Sequence, residues 1–374
     1  MIMGVKKKIK ILFSIPRFSV GGAEKFLINH LHTIDREKYE TTLITFFDEK
    51  LDEGSSCADL IHIDRCFHAG STWDFSAFAS LVSFLRKENF DVVVTHLFTA
   101  NLLVRLAAIL AGTHIIVSYE HNIYPNKRYW QILVDKILSV FTDTIIVDSD
   151  AAKMFTAKQE WIPLSKFRTI IIPPLLDDKE RRTREQVLFD LGIPKDSLVV
   201  VTVSRLVIDK GHTYLVAAVP VVIAQHKSAQ FLIGGWGPLK EELEKQVVTL
   251  GIGDNVKILG RVDGQEFTSI ADLYVDPSIS TDLPIGIMEA MAKGKAIVAT
   301  SVGEIPNFVM NESTGLVVPP ADPQALASAI IRMLNDATLR SRYGEAAAKK
   351  VEEYSLENYV RTFDELIYGL VQKA

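Results

Sequence analysis

The sequence has only two cysteines, Cys57 and Cys66, with no CxxC pair and no histidine-rich partner segment. Neither a disulfide framework nor a zinc site is indicated, and the chain reads as built for a reducing, cytoplasmic compartment. Long apolar runs are also missing. The longest, Tyr214 to Ala224, falls well short of the roughly eighteen residues that span a bilayer. The start carries a basic head, Lys6 to Lys8, but the apolar stretch from Ile9 to Ile15 is broken by Lys10 and stopped by Pro16. That is too short for a secretory leader and reads as a first β-strand. An excess of positive charge is absent too: 41 Lys and Arg against 46 Asp and Glu leave −5, which gives no global attraction to nucleic-acid phosphate. Fixed-period repeats and low-complexity segments are lacking.

What is present is an ordinary globular composition, 48% hydrophobic and 23% charged, over 374 residues, which favours two domains. Short β-branched runs alternate with helical periodicity from end to end, the pattern of an α/β protein built from doubly wound parallel sheets. In the first half strands are expected at 9–14, 42–46, 92–95, 115–119 and 144–147, with helices near 23–33, 76–88, 99–111 and 127–141. In the second half strands are expected at 198–203, 230–234, 256–259, 272–275, 296–299 and 315–318. The pattern breaks at Pro173-Pro174 and the charged cluster Asp177 to Arg182, so the domains are read as 1–177 and 178–354, with a last helix over 355–374. The apolar stripe Leu356, Tyr359, Val360, Phe363, Leu366, Ile367 and Leu370 on that helix must pack against something. Pro220 should kink or end the helix expected over about 210–225.

Five segments carry candidate chemistry. Gly21 and Gly22 sit between the first strand and the first helix, where backbone can approach an anion. The segment matches neither GxGxxG nor GxxxxGK[ST], and a ligand-free βα turn explains it equally well. Arg205 and Lys210 follow the first strand of the second unit, at the end of an open sheet where ligands bind, and two fixed cations suit a diphosphate. Solvated surface cations are the plain alternative. Gly235 and Gly237 give a strand–turn–helix junction either room for a ligand or simply its backbone geometry. Glu289 lies among apolar residues on a short helix ending at Gly294, and a carboxylate there needs a partner or a ligand. His121 ends a first-unit strand and suits a sugar hydroxyl or a reacting oxygen, or a structural hydrogen bond.

Arg205 and Lys210, the glycine turn 235–237 with Pro238, Met288 to Ala292 with Gly294, and Ala299 to Pro306 come in one order and spacing. With Gly21-Gly22-Ala23-Glu24-Lys25 they resemble family 4 retaining glycosyltransferases of the GT-B fold, over nearly the whole chain. The resemblance implies two Rossmann-like domains facing a cleft, an acceptor-binding first domain, a nucleotide-sugar-binding second domain, and a final helix crossing back to the first. It implies that Arg205 and Lys210 hold the donor diphosphate in place of a metal, and that Glu289, the second acid of an E-x7-E motif, binds the ribose. Gly21 and Gly22 would approach the donor, His121 would contact its sugar, and Gly303, Glu304 and Ile305 would line sugar and phosphate. The first acid of E-x7-E is replaced by Thr281, with Asp282 one residue later. A second departure is Pro173 to Asp177, where the family commonly has Pro-Asn-Gly.

The expected activity is therefore transfer of a sugar from a UDP- or GDP-sugar, UDP favoured, to a glycan or lipid-linked acceptor, with no cofactor or metal. A non-catalytic partner subunit is the alternative that Thr281 motivates, and a periplasmic sugar-binding protein is a poorer one. The helix near 127–141 puts Trp130, Leu133, Val134, Ile137, Leu138 and Phe141 on one face beside Lys127, Arg128 and Lys136. A core face is the preferred reading of it, and peripheral membrane docking at the inner surface the second.

Overall fold

The computed structural model describes residues 8–18, 22–48, 61–121, 123–124, 126–177 and 179–374. Lys6, Lys7, Gly21, Cys57, Asn122 and Asp178 lie outside the described residues. The chain divides into two compact units, Met1–Ile172 with Leu356–Ala374, and Pro173–Ser355.

The first unit runs β1 (Ile9–Ile15), α1 (Gly22–Thr33), β2 (Tyr39–Thr45), β3 (Arg65–Cys66), α2 (Phe75–Glu88), β4 (Val92–His96), α3 (Leu97–Ala111), β5 (Ile115–Glu120), α4 (Tyr129–Val140), β6 (Thr144–Val147), α5 (Asp150–Glu160) and β7 (Phe167–Thr169). Its strands are all parallel, in the order β3-β2-β1-β4-β5-β6-β7. Runs such as Val92-Val93-Val94 are wholly buried because helices cover both faces of a parallel sheet.

The second unit runs α6 (Arg184–Asp190), β8 (Val199–Val203), α7 (His212–Gln225), β9 (Gln230–Gly234), α8 (Lys240–Thr249), β10 (Val256–Gly260), α9 (Gly264–Ile270), β11 (Leu273–Asp276), α10 (Ile285–Ala292), β12 (Ile297–Thr300), α11 (Ile305–Phe308), β13 (Leu316–Val318), α12 (Pro323–Asn335) and α13 (Ala337–Val351). The sheet order is β10-β9-β8-β11-β12-β13, again parallel. Each sheet therefore reverses its direction of winding once, between β1 and β4 and between β8 and β11, and ligands of open α/β sheets bind at the carboxyl ends of such strand pairs.

The chain ends in the first unit as α14 (Leu356–Val371). Tyr359, Phe363 and Ile367 of its apolar stripe are buried, and Phe363 packs 6.1 Å from Phe13 while Tyr359 meets Phe26 edge-on at 4.9 Å. Burying three such side chains contributes roughly 5–9 kcal/mol before entropy is counted. Asp364 fixes the end of the contact through Lys38 at 2.9 Å.

Helix α7 does not end at Pro220 but continues to Gln225. The lost backbone bond, a cost of about 3 kcal/mol, is outweighed by Val216, Val219 and Val222, all fully buried in the second unit's core.

Candidate functional site

In the second unit, the loops leaving β8, β9, β11 and β12 close on one another at the carboxyl edge of the sheet. Arg205 lies in the loop after β8, exposed, and its guanidinium has no ion-pair partner among the described residues. Lys210, half-buried, ends a short 3-10 turn and donates to Thr281 Oγ1 at 3.0 Å. It likewise forms no ion pair among the described residues. Backbone contacts lock this loop to the one after β11: Ile279 and Ser280 donate to the Asp209 carbonyl at 2.8 and 3.1 Å. The result is two cations on a locked backbone, one of them anchored on a neutral hydroxyl, where a carboxylate at 281 would have given Lys210 a counter-charge.

Gly235 and Gly237 belong to the same assembly for a reason the sequence did not single out. Both have positive φ, +151 and +156°, and a β-carbon would lie 1.8 Å from the Ser204 carbonyl oxygen at the first and 2.3 Å from that of Leu206 at the second. The β9 exit loop thus lies directly on the backbone that carries Arg205, and Leu206 exchanges hydrogen bonds with Trp236 and Leu239 at 2.9 and 3.1 Å. Gly303 plays the same part after β12: its φ is +52° and a β-carbon there would lie 1.8 Å from the Thr281 carbonyl oxygen. Glu304 then donates its N–H to the Asp282 carbonyl at 3.4 Å, and both Glu304 and Ile305 are buried.

Glu289 is half-buried on α10 between fully buried Met288 and Ala290. Burial, then Asp276, then Glu289 raise the phenol of Tyr274 well above its ordinary range, so Tyr274 stays protonated and donates to the Val203 carbonyl at 3.3 Å. Sequence reasoning missed His212. It is buried, and its Nε2 lies 3.0 Å from Ser204 Oγ and 3.3 Å from the Arg205 carbonyl oxygen. Burial lowers its pKa to about 4, so a neutral ring with its proton on Nε2 braces the Arg205 backbone. Its position directly after Gly211 at the start of α7 was the available signal.

In the first unit, Gly22 opens α1 and is exposed. His121 follows β5, and the neighbouring strands bring it two partners that the sequence reading did not name. Its Nδ1 lies 3.2 Å from Asp148 Oδ2, just past β6, and its Nε2 lies 2.9 Å from His96 Nδ1, at the end of β4. The Tyr119 ring stacks on it at 4.2 Å. Burial holds His96 well below the ordinary histidine range and therefore neutral. Asp148 fixes the His121 tautomer by accepting from Nδ1–H, and Nε2 is left facing His96. With both ring nitrogens engaged, contact with a ligand requires the His96 bond to open. Polar residues at or one past the ends of three adjacent strands were the signal for this group.

The core-face reading of α4 holds only for Leu138, which is buried in the first unit's core, and Val134, which packs against it; Trp130, Leu133, Ile137 and Phe141 overturn it for the rest of that face. Tyr129, Trp130, Leu133, Ile137, Val140 and Phe141 are exposed, and the buried positions include Asp135 and Ser139. No helix among the described residues is long and apolar enough to cross a membrane.

Comparison with known proteins bears on the whole chain. Residues 20–177 match the model described as Glycosyltransferase Family 4, and residues 183–350 that of Glycosyl transferases group 1. The chain is 33% identical over 184 residues to the alpha-D-kanosaminyltransferase of Streptomyces kanamyceticus, a match covering 48% of this chain and 47% of that protein. The match to a glycosyltransferase of Methanocaldococcus jannaschii covers 45% of its length, so the chain spans about half of these relatives. It is 24% identical to the UDP-Gal:alpha-D-GlcNAc-diphosphoundecaprenol alpha-1,3-galactosyltransferase of Escherichia coli, over 97% of this chain and 98% of that one. Among solved structures, Anabaena HepE in complex with UDP superposes with a TM-score of 0.80 at 21% identity, covering 97% of this chain and 100% of that one. That likeness establishes the GT-B fold, and with both halves matched in sequence order the chain belongs to the group 1, family 4 glycosyltransferases.

Proposed function

We propose that the chain transfers a sugar, with retention, from a UDP- or GDP-sugar to an acceptor hydroxyl in the assembly of a cell-envelope polysaccharide or glycolipid. The observation that carries this is the pair Arg205 and Lys210, two cations without a carboxylate partner among the described residues, at the switch point of the second sheet. Negative charge grows on the leaving diphosphate in the transition state, so fixed cations there lower the barrier more than they tighten ground-state binding. They supply the charge that a divalent metal would otherwise bring. Glu289 holds the ribose hydroxyls, and Gly303, Glu304 and Ile305 line the sugar and phosphate. Because no nucleophile is assured, a front-face displacement fits best, the leaving phosphate accepting the acceptor's proton.

UDP is favoured as carrier, since HepE was solved with UDP and the Escherichia coli relative uses UDP-Gal on a lipid-linked diphosphate acceptor. Thr281 supports a second reading, a non-catalytic partner subunit, because the carboxylate that helps place the donor sugar is missing. Release of nucleoside diphosphate from a panel of UDP- and GDP-sugars separates the two. Turnover that Arg205→Ala abolishes, with an α-linked product by NMR from an α-linked donor, is the expected result. No turnover with any donor, together with unimpaired nucleotide binding, would leave the partner-subunit reading.

A further inference from the structure

Helix α4 leaves a broad apolar arc uncovered. At 100° per residue, Tyr129, Val140, Leu133, Ile137, Trp130 and Phe141 fill one arc of about 120°. All six are exposed, from 41% for Trp130 to 69% for Tyr129. The opposite side is held inward by a buried ionic group: Asp135 accepts from Arg105 and, at 2.9 Å, from Lys127, which also pairs with Glu160. Folding therefore anchors α4 through this ionic group together with Leu138, which is buried in the core, and Val134, which packs against it, and leaves the six-residue apolar arc uncovered.

Elements packed against α4 carry further exposed apolar residues. Leu106 and Leu110 on α3, Met154 on α5, and Trp161 and Leu164 after it are exposed as well. Eleven of the twenty exposed large hydrophobic residues among those described fall between 106 and 164. The Trp161 ring lies 6.2 Å from that of Tyr129, and Trp161 holds a left-handed φ of +52°, a conformation that glycine ordinarily supplies. Cations rim this area and are tied to its backbone. Arg86 donates to the Leu110 carbonyl at 2.8 Å, Lys166 to that of Thr142 at 2.8 Å, and Lys136 to that of Trp161. Arg128 and Lys158 are exposed beside them. Between 127 and 168 the exposed acids are Asp143 and Asp150, each already accepting a hydrogen bond, from Ile116 N–H and Thr169 Oγ1.

We propose that this face docks the first unit onto an anionic lipid bilayer, with α4 lying in the interfacial plane. Tryptophan and tyrosine at the edge of an apolar face, with Lys and Arg around it, match the boundary between headgroups and acyl chains. Charge decides against a second copy of the chain: a two-fold contact through this face would set one basic rim against another, whereas anionic headgroups neutralise it. The inference does not depend on the nature of the sugar donor.

Flotation of the full chain with phosphatidylcholine vesicles, with and without phosphatidylglycerol, tests it. Binding to the anionic vesicles, weakened by salt, is expected. Arg128→Gln and Lys158→Gln should each lower affinity about five-fold, and Leu133→Glu with Ile137→Glu should abolish it while the melting temperature stays unchanged. Failure to float with anionic vesicles, or equal flotation of wild type and variants, would overturn the proposal. So would a dimer in light scattering that the double substitution converts to monomer, since the face would then bind its own copy.

Discussion

His212 offers the sharpest check on the loop that holds Arg205. Its folded pKa of about 4 lies below the 6.5 of the exposed side chain, so between those values the unfolded chain takes up a proton that the folded protein rejects. The stability it protects is thus fully present above about pH 6.5 and is lost as the pH falls toward 4. At pH 5 the loss is about 2 kcal/mol relative to neutral pH, which for a unit of this size lowers the melting temperature by about 4–8 °C. His212→Gln keeps a donor near Ser204 Oγ and the Arg205 carbonyl but cannot titrate. Differential scanning calorimetry at pH 7 and pH 5 should show the wild type losing about 2 kcal/mol more than the variant between the two conditions. Equal acid sensitivity of the two proteins would refute a buried neutral ring as the brace.

Gly235→Ala should destabilise by more than about 2 kcal/mol in urea unfolding, because the new β-carbon meets the Ser204 carbonyl oxygen at 1.8 Å. Gly251→Ala, with φ +65° and nothing within 4 Å, is the control and should cost only about 1 kcal/mol. A similar cost at both positions would remove the clasp between the β9 and β8 loops. Asp148→Asn releases the tautomer of His121, and turnover should fall tenfold or more while calorimetric affinity for UDP is unchanged. A loss of UDP affinity equal to the loss of turnover would count against a role confined to the first unit.

Buried β-branched runs made the central strands legible in the sequence, because β4, β5 and β6 are covered on both faces and carry no polar alternation. Edge strands β3 and β7, two and three residues long with exposed arginines, gave no such signal. Neither did α5, where three of the five apolar residues are alanine. The amphipathic pattern of α4 was visible, but not its direction: that depends on Arg105 and Glu160, 30 and 25 residues from Asp135 in the chain. Arg205 and Lys210 stood out as charges after a strand, yet the hydroxyl that anchors Lys210 is 71 residues away. Gly235 and Gly237 read either as space for a ligand or as plain backbone geometry, and which backbone they meet, the carbonyls of the Arg205 loop, was not visible. Contacts of this kind come from topology, which local periodicity does not encode.

Isothermal titration of the wild type, Arg205→Ala and Lys210→Met with UDP and GDP tests the diphosphate site most directly. The wild type should bind UDP, and each variant should bind it about 10- to 100-fold more weakly, the range of one charge-assisted contact, with an unchanged melting temperature in the absence of nucleotide. Undiminished UDP affinity in both variants, or binding of neither nucleotide by the wild type, would contradict a donor diphosphate held by Arg205 and Lys210.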